Sequence, residues 1–322
     1  MITSLRPCPW VAIALLLAAA APVPASAETT LTVGKANATS DAIIPVNIGD
    51  ALGIFKKHGL DLKIVDFGGG SKMAQAIAAG NIDIGDGAGT EMAMVAKGAP
   101  MLAVCESTGP APFLGIGVPW DSPIKTLDDL KGKVIGVSSP GSFSDWSGKQ
   151  LAQKKGWGED GVKTVAIGGG AAPARAAFRT HLVDAAIGGT SQFLAFEEAK
   201  EGRLIAPVST YLGNVASGAL FASNKLIASN PDAIRAFIAA WIETVDHMRA
   251  HKAETVKITS GITQFSETVM AREYDFTIGM HTKDCRFDPD SMATLKQSFH
   301  EMKLVEGEVE MSKLYTEAFL SK

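Results

Sequence analysis

The side chains best suited to chemistry in this chain are serines and threonines that stand next to glycines, directly after short apolar stretches. Glycine lets a ligand approach the backbone closely, and a hydroxyl donates or accepts a hydrogen bond without adding charge. Residues of this kind favour non-covalent binding, although each hydroxyl could instead cap its own helix. The candidate ligand contacts are Asn37, Thr39, Ser40, Gly70, Ser71, Gly89, Thr90, Ser139, Gly141, Ser142, Phe143 and Thr190.

The sequence does not match common motifs for nucleotide binding, metal binding or catalysis. The order Gly70-Ser71-Lys72 does not fit a phosphate-binding loop, and no dinucleotide fingerprint is found. His247 and His251 are spaced as a metal pair on one helix would be, but no third ligand is evident. No set of nucleophile, base and acid is visible. The sequence therefore predicts a binding protein rather than an enzyme, with no cofactor and no metal.

The glycine-rich loops belong to an internal repeat. Gly68, Gly69 and Gly70 recur 100 residues later as Gly168, Gly169 and Gly170. Gly89-Thr90 recurs as Gly189-Thr190, and Asp83 has a near-equivalent in Asp184. The repeat predicts two similar units in one chain, facing each other across a cleft.

Each unit alternates strands and helices, which predicts an α/β fold with mostly parallel sheets flanked by helices. In the first unit, strands are predicted at 31–36, 62–65, 82–84 and 101–105, and helices at 45–59, 72–79 and 91–97. In the second unit, strands are predicted at 134–137, 162–167 and 185–187, and helices at 144–155 and 173–179. Ile234, Phe237, Ile238, Trp241, Ile242 and Val245 have helical spacing and predict a core-facing helix in the tail.

Two apolar segments, 113–118 and 217–222, are predicted to cross between the units. Lobe I would then comprise 28–118 and 216–322, and lobe II 119–215. Ligands of open α/β sheets bind at the carboxyl ends of the strands, and helix N-termini there suit anions. Asp41 and Asp86 could simply cap their helices. If they instead face the cleft, the ligand carries an amine or is a neutral heterocycle.

The first 27 residues predict export. Arg6 precedes an apolar run from Trp10 to Ala21 and a small-residue site at Ala25-Ser26-Ala27, as in a signal peptide cleaved after Ala27. An uncleaved anchor is the alternative, but the run is short of the roughly 20 residues that a membrane span needs. The net charge of -4 gives no basic surplus for nucleic acid.

Two cysteines, Cys105 and Cys285, remain after this processing. An exported compartment permits a disulfide, so the two could pair or stay free. We expect Cys105 to be free and buried at the end of an apolar strand.

Three segments carry a family resemblance: 53–62 (GIFKKHGLDL), 79–84 (AGNIDI) and 126–137 (TLDDLKGKVIGV). Through them the chain, over about 28–250, resembles the periplasmic substrate-binding components of ABC importers of the nitrate, sulfonate and taurine group. That group shares its fold with binders of thiamine-pyrimidine precursors. The resemblance implies a type II periplasmic binding protein fold, in which two lobes joined by two strands close on a small molecule.

The expected function follows from that resemblance together with the cleft. We expect a periplasmic monomer that captures a small organic anion, such as a sulfonate, nitrate or a carboxylate, and delivers it to the membrane permease of an ABC importer. A heterocycle such as a thiamine pyrimidine precursor is the alternative ligand. Alternatives of another class are a sensor ectodomain and a pyrimidine-synthesising enzyme like the fungal relatives. Those enzymes carry a cysteine-rich metal motif, which this chain does not show.

Overall fold

The computed structural model describes Met1 and residues 28–36, 42, 44–67, 70–140 and 142–321, with the side chain of Ser71 left out. The strands are β1 Thr29–Lys35, β2 Leu60–Asp66, β3 Ile84–Gly87, β4 Met101–Thr108, β5 Leu114–Pro119, β6 Val134–Val137, β7 Lys163–Ala166, β8 Ala185–Gly189, β9 Gly202–Pro207 and β10 Gly218–Ser223. The helices are α1 Pro45–Ala51, α2 Ile54–Lys57, α3 Gly70–Ala78, α4 Met92–Ala96, α5 Phe143–Lys154, α6 Ala171–Arg179, α7 Thr190–Glu198, α8 Ser209–Leu212, α9 Asn224–Ser229, α10 Pro231–Ala250, α11 Lys252–Thr263, α12 Glu267–Thr277 and α13 Pro289–Glu301.

The strands form two five-stranded sheets with matching topology. The first has the order β2-β1-β3-β10-β4 and the second the order β7-β6-β8-β5-β9. In each sheet the fourth strand, β10 or β5, runs antiparallel to both of its neighbours, while the other strand pairs are parallel. The internal repeat is therefore a structural repeat, with β1 to β4 corresponding to β6 to β9.

The antiparallel strands are exchanged between the two halves of the chain. β5 follows β4 of the first sheet but pairs with β8 and β9 of the second. β10 follows β9 of the second sheet but pairs with β3 and β4 of the first. The segments 113–118 and 217–222, which the sequence suggests as crossings, thus lie mainly within sheets, and β5 belongs to the second sheet although the sequence places it in lobe I. The chain passes between sheets at 109–113 and 208–217.

Local sequence accounts for most element boundaries. The predicted helix over 45–59 is split into α1 and α2 at Gly53, which adopts the left-handed region with φ 70°. Strand β6 has the predicted bounds. Helix α10 begins at Pro231 after the cap Asn230, whose side-chain oxygen accepts the amide of Ala233 at 3.2 Å.

The hydrophobic core lies on both faces of each sheet. Helix α10 buries Ile234, Phe237 and Trp241 against one face of the first sheet, as its periodicity predicts. Helices α3, α4 and α13 cover the opposite face. The second sheet packs against α5 on one side and against α6 and α7 on the other. The helices thus cover the faces of the sheets, and the loops at the strand ends are the part of each sheet where a site can form.

Cys105 in β4 forms a disulfide with Cys285, so the expectation of a free Cys105 is wrong. Both side chains are fully buried. The segment after α12 returns to β4, where the amide of Glu106 donates to the carbonyl of Cys285 at 3.0 Å. This long-range return, across a sequence separation of 180, brings the two cysteines together.

Within the described residues, no helix combines the length and the apolar character that crossing a membrane requires.

Candidate functional site

The carboxyl ends of the parallel strands in the two sheets lie close together. The crossing from β4 to β5 has five residues, 109–113, and can span about 20 Å at most. It starts where β4 ends and enters β5 at Leu114, opposite Gly189 at the carboxyl end of β8. The second crossing returns to β10 at Gly218, next to Ala219, which pairs with Gly87 at the carboxyl end of β3. The carboxyl ends of β3 and β8 therefore both lie beside the crossings that join the two sheets.

The repeated Gly-Thr pairs contact these crossings. A Cβ atom on Gly89 would overlap the backbone carbonyl oxygen of Ala216, so only glycine fits there without a shift. In the other half, the Thr190 hydroxyl donates to the carbonyl of Pro112 at 2.6 Å, and its amide donates to Phe113 at 2.9 Å. Thr190 is fully buried. Both candidate residues thus have a contact that fixes the connection between the sheets.

The start of helix α5 carries a triangle of serine hydroxyls, made by Ser138, Ser142 and Ser144. Their oxygen atoms lie 3.0 Å apart in each of the three pairs. Ser142 is the N-cap of α5 and accepts the amide of Asp145 at 3.2 Å. Because a hydroxyl proton rotates, an incoming oxygen anion can replace one of the mutual hydrogen bonds and also gains the partial positive charge of the helix start.

Asp145 puts a carboxylate into the first turn of α5, but its charge is compensated. One oxygen accepts the Thr164 hydroxyl at 2.7 Å, and the other pairs with Lys149 at 2.7 Å. The helix start therefore keeps its preference for an anion.

Two aromatic side chains follow the serine triangle. The rings of Phe143 and Trp146 are 5.3 Å apart, and Phe143 is half-buried. Trp146 is 4% exposed and belongs to the core of the second sheet. Its indole nitrogen donates to Glu301 at 2.6 Å. Phe143 is therefore the aromatic side chain of this pair with surface left for a ligand, and Ser139, four residues earlier in the chain, is exposed.

In the first half, Gly70 begins helix α3 and lies against an acidic side chain. A Cβ atom on Gly70 would overlap the carboxyl of Glu91. The Thr90 hydroxyl donates to that carboxyl at 3.4 Å, and burial raises the pKa of Glu91 to about 7. Glu91 is thus held at the helix start where the sequence predicts a ligand.

A buried lysine and a buried aspartate occupy neighbouring strands at the same edge. Lys35 and Asp86 are register partners in β1 and β3, and both are 0% exposed. The Lys35 ammonium contacts Asn47 Oδ1 at 2.5 Å and Asp66 Oδ1 at 3.5 Å. Burial lowers the pKa of Lys35 and raises that of Asp86 well above its usual range, while the attraction between them opposes both shifts.

Several predicted contacts lie outside the described residues. These are Asn37, Thr39, Ser40 and Gly141, together with Asp41. Ser71 is in the first turn of α3, and its side chain also lies outside the described part. The roles of these residues in binding stay predictions.

Ser138, Ser144 and Glu91 lie at these helix starts but are not among the ligand contacts that the sequence predicts. Ser138 begins the predicted loop 138–143 and Ser144 follows it, and their signal was the presence of four serines between 138 and 144. Glu91 follows Thr90 directly and was read as the first residue of a helix. Its contact with Gly70 depends on how α3 packs beside β3, which the sequence pattern does not show.

The histidine pair and Arg175 form hydrogen bonds or ion pairs with other side chains of the protein. His247 bonds Glu254 at 2.8 Å, and the Nδ1 atom of His251 lies 3.0 Å from the carbonyl of His247. Arg175 pairs with Glu201 at 2.6 Å and lies over the ring of Phe196. Among the described residues, no group of three or more His, Cys, Asp or Glu side chains is arranged to hold a metal ion.

The two five-stranded sheets, flanked by helices and joined by two crossings, make a two-lobed α/β fold. The sequence matches the NMT1/THI5-like family over residues 41–255, and the chain belongs to that family. It is 27% identical over 215 residues to a protein of Brucella abortus named as a binding protein; the match covers 66% of this chain and 65% of the Brucella protein.

Solved structures share the fold. The periplasmic aliphatic sulphonate binding protein SsuA from Escherichia coli superposes with a TM-score of 0.75 at 22% identity, covering 90% of this chain and 92% of SsuA. The periplasmic nitrate-binding protein NrtA from Synechocystis PCC 6803 gives a TM-score of 0.68 at 15% identity, covering 90% and 87%. The predicted periplasmic binding protein fold is confirmed, and each sheet is mixed, with four of its five strands running in one direction.

Proposed function

We propose that this protein is the exported solute-binding component of an ABC importer, which captures a small organic anion between its two halves and delivers it to the membrane permease. Family membership and the fold support this class. SsuA and NrtA, which share the fold, are named for binding a sulphonate and nitrate, both anions. The protein would act as a monomer in the periplasm after cleavage behind Ala27, with no chemistry on the ligand.

The observation that carries the proposal is the serine triangle at the start of α5, the helix that follows the carboxyl end of β6. Backbone amides at a helix start and hydroxyls shielded from water are the groups that bind oxyanions without a metal. The two crossings leave the halves free to close on a ligand by a hinge motion, which would hide these donors from solvent. Phe143 adds apolar surface beside them for the rest of an organic ligand.

A ligand screen by thermal shift and calorimetry tests the proposal. The panel contains alkanesulfonates, nitrate, aliphatic and aromatic carboxylates, and aminopyrimidines. A ligand that binds the folded state raises the melting temperature by mass action, and micromolar affinity corresponds to about -8 kcal/mol. We expect a shift with at least one anion and no product after overnight incubation. Turnover of a compound would support the enzyme alternative instead.

A blocked variant shows where the ligand binds. Ser142→Trp puts an indole into the serine triangle and should abolish the shift. Ser266→Trp is the matched control, because Ser266 caps α12 by accepting the Val269 amide at 3.1 Å and is exposed. Both variants lose one N-cap, worth about 1 kcal/mol. The proposal fails if no anion binds, or if the ligand binds the Ser142→Trp protein as well as the control.

A further inference from the structure

Helix α13 joins the two halves of the molecule at its carboxyl end. Leu295 and Phe299 bury α13 against the first sheet. Its last residue, Glu301, accepts two hydrogen bonds from helix α5, which packs against the second sheet. The donors are the indole nitrogen of Trp146 at 2.6 Å and the side-chain amide of Gln150 at 2.7 Å, both to Oε2. The halves are therefore in contact here as well as through the two crossings.

An apolar side chain completes this contact. Met302, which caps α13, packs against the core of the second sheet. Trp146 and Gln150 are 4% and 6% exposed, whereas Glu301 is exposed and Met302 is half-buried. Hydrogen bonds to a group that water can reach contribute only modestly to stability, because water replaces them when they break. These four residues, which we call the latch, can therefore separate at a modest cost in free energy.

A second contact between the halves lies at helix α7. Four buried apolar side chains build this contact, which we call the pivot, namely Leu194 of α7 and Val256, Val269 and Met270 of α11 and α12. An ion pair between Arg272 and Glu197 at 2.7 Å borders the pivot. Helix α11 is fixed to the first half, because Ile258 and Ile262 pack beside α1 and α10. The pivot thus attaches the second half to the first by a buried apolar surface.

Latch and pivot lie on opposite faces of the second sheet. Helix α5 covers one face, and helices α6 and α7 cover the other. The pivot keeps its apolar side chains out of water, so separating it costs more free energy than separating the latch. A motion that parts the halves therefore breaks the latch first and rotates the second half about the pivot, as in a hinge.

The latch also adjoins the serine triangle at the start of α5. Trp146 lies one helical turn after Ser142, and its amide donates to the Ser142 carbonyl at 2.9 Å. The ring of Trp146 is 5.3 Å from the ring of Phe143. Movement of α5 away from Glu301 therefore also carries the serine triangle away from the first half.

We propose that the end of α13 is a releasable latch: Glu301 and Met302 hold α5 against the first half, and on release the second half rotates about the pivot. The latch then sets how readily the start of α5 opens to solvent. This inference goes beyond ligand capture, because it concerns contacts within the chain and holds whatever the protein binds.

Pulsed electron paramagnetic resonance on the full mature protein, without any ligand, tests the latch. Spin labels are attached at Gln75→Cys in α3 and Lys154→Cys in α5, which are exposed positions in the first and the second half. Helices α3 and α13 cover the same face of the first sheet, so this distance lengthens when the latch opens. Cys105 and Cys285 are joined to each other, so the labels react with the introduced thiols.

Two variants open the latch to different degrees. Glu301→Ala removes the acceptor of both hydrogen bonds and should raise the ratio of separated to joined molecules by about tenfold or more, since bonds to a charged group are lost. Adding Met302→Ser removes the apolar contact as well and should raise that ratio further. The longer distance should therefore gain population from the parent to the single and then to the double variant.

Glu308→Ala is the matched control. Glu308 pairs with Lys296 of α13 at 2.9 Å, so the variant removes a carboxylate bonded to the same helix but within the first half. It should keep the distance distribution of the parent. The latch is ruled out if the double variant keeps the parent distribution, or if Glu308→Ala changes that distribution as much.

A second pair of labels tests the pivot. Ala199→Cys and Thr268→Cys are exposed positions at the end of α7 and in α12, and they lie close together because the Ser266 hydroxyl donates to Glu198 at 2.9 Å. Dipolar broadening of the continuous-wave spectrum reports whether these labels stay close. We expect the latch variants to keep the broadening while the first pair of labels moves apart. Loss of the broadening would overturn the pivot, since the halves would then separate as a whole.

Discussion

Asp83 accepts a hydrogen bond from the backbone amide of Thr32 at 2.9 Å, and so fixes the middle of β1 to the segment that enters β3. The second half repeats the contact, with Asp184 accepting the amide of Val134 at 2.8 Å. In both halves the aspartate amide also donates to the backbone carbonyl of the same partner, at 2.9 Å. The repeated aspartates therefore have a structural role.

Asp83→Ala should lower the free energy of unfolding by about 1–3 kcal/mol, because the amide of Thr32 loses its charged acceptor. Asp83→Asn should cost less, since the side-chain amide keeps an oxygen that can accept the same bond. Urea unfolding followed by circular dichroism measures both. Equal stability of the alanine variant and the parent protein would contradict the structural role.

Gly89→Ala should also destabilise the protein, by about 1–3 kcal/mol, because the new methyl group would overlap the carbonyl oxygen of Ala216 in the second crossing. Gly261→Ala is the opposite case, since Gly261 lies in helix α11 with nothing within 4 Å of its Cβ position. Gly261→Ala should raise the free energy of unfolding by up to about 1 kcal/mol. Thermal unfolding of the two variants side by side checks the sign of each change.

The disulfide between Cys105 and Cys285 should contribute about 2–5 kcal/mol to stability. It ties the segment that follows α12 to β4, beside the bond from the Glu106 amide to the Cys285 carbonyl. The variant with serine at both positions should lose that amount in urea unfolding. Dithiothreitol should weaken the parent protein similarly and leave the double variant unchanged. If dithiothreitol leaves the stability of the parent protein unchanged, the disulfide is contradicted.

Stability should depend on pH through Glu106, which is 1% exposed and accepts the Ser291 hydroxyl at 2.7 Å. Burial raises the pKa of Glu106 from 4.5 to about 7. A carboxyl whose pKa is higher in the folded state stabilises fully below its unfolded pKa, and this contribution is lost as pH rises through about 7. The loss amounts to roughly 3 kcal/mol at most.

The difference in unfolding free energy between the parent and Glu106→Gln isolates this effect. Glutamine stays neutral, so the parent should lose stability relative to the variant between pH 4.5 and about 7. His281 acts in the opposite direction, because burial lowers its pKa from 6.5 to about 3 and the folded state loses stability as pH falls below 6.5. The contribution of His281 to the unfolding free energy is the same in both proteins, so it cancels when the two are subtracted. A flat difference profile would be evidence against the raised pKa of Glu106.

Much of the fold could be predicted from local sequence. The spacing of Ile234, Phe237 and Trp241 predicts the buried face of α10, since helical periodicity depends only on neighbouring residues. The glycine and aspartate repeats predict two equivalent units, and the units share one strand order. The exchange of β5 and β10 between the sheets was not predictable in this way, because the local sequence of a short apolar strand does not specify which sheet it joins.

The sequence by itself determined the two α/β units, the loops at the strand ends and the family, because these depend on periodicity, turn residues and segment similarity. Only the tertiary structure decided which loop residues have free surface. In the folded chain the Thr190 hydroxyl donates a hydrogen bond to the carbonyl of Pro112, and the Glu91 carboxyl lies against Gly70. The tertiary structure also joins Cys105 to Cys285. The physical reason is that these contacts join residues far apart in the chain, and their partners are chosen by how sheets and helices pack.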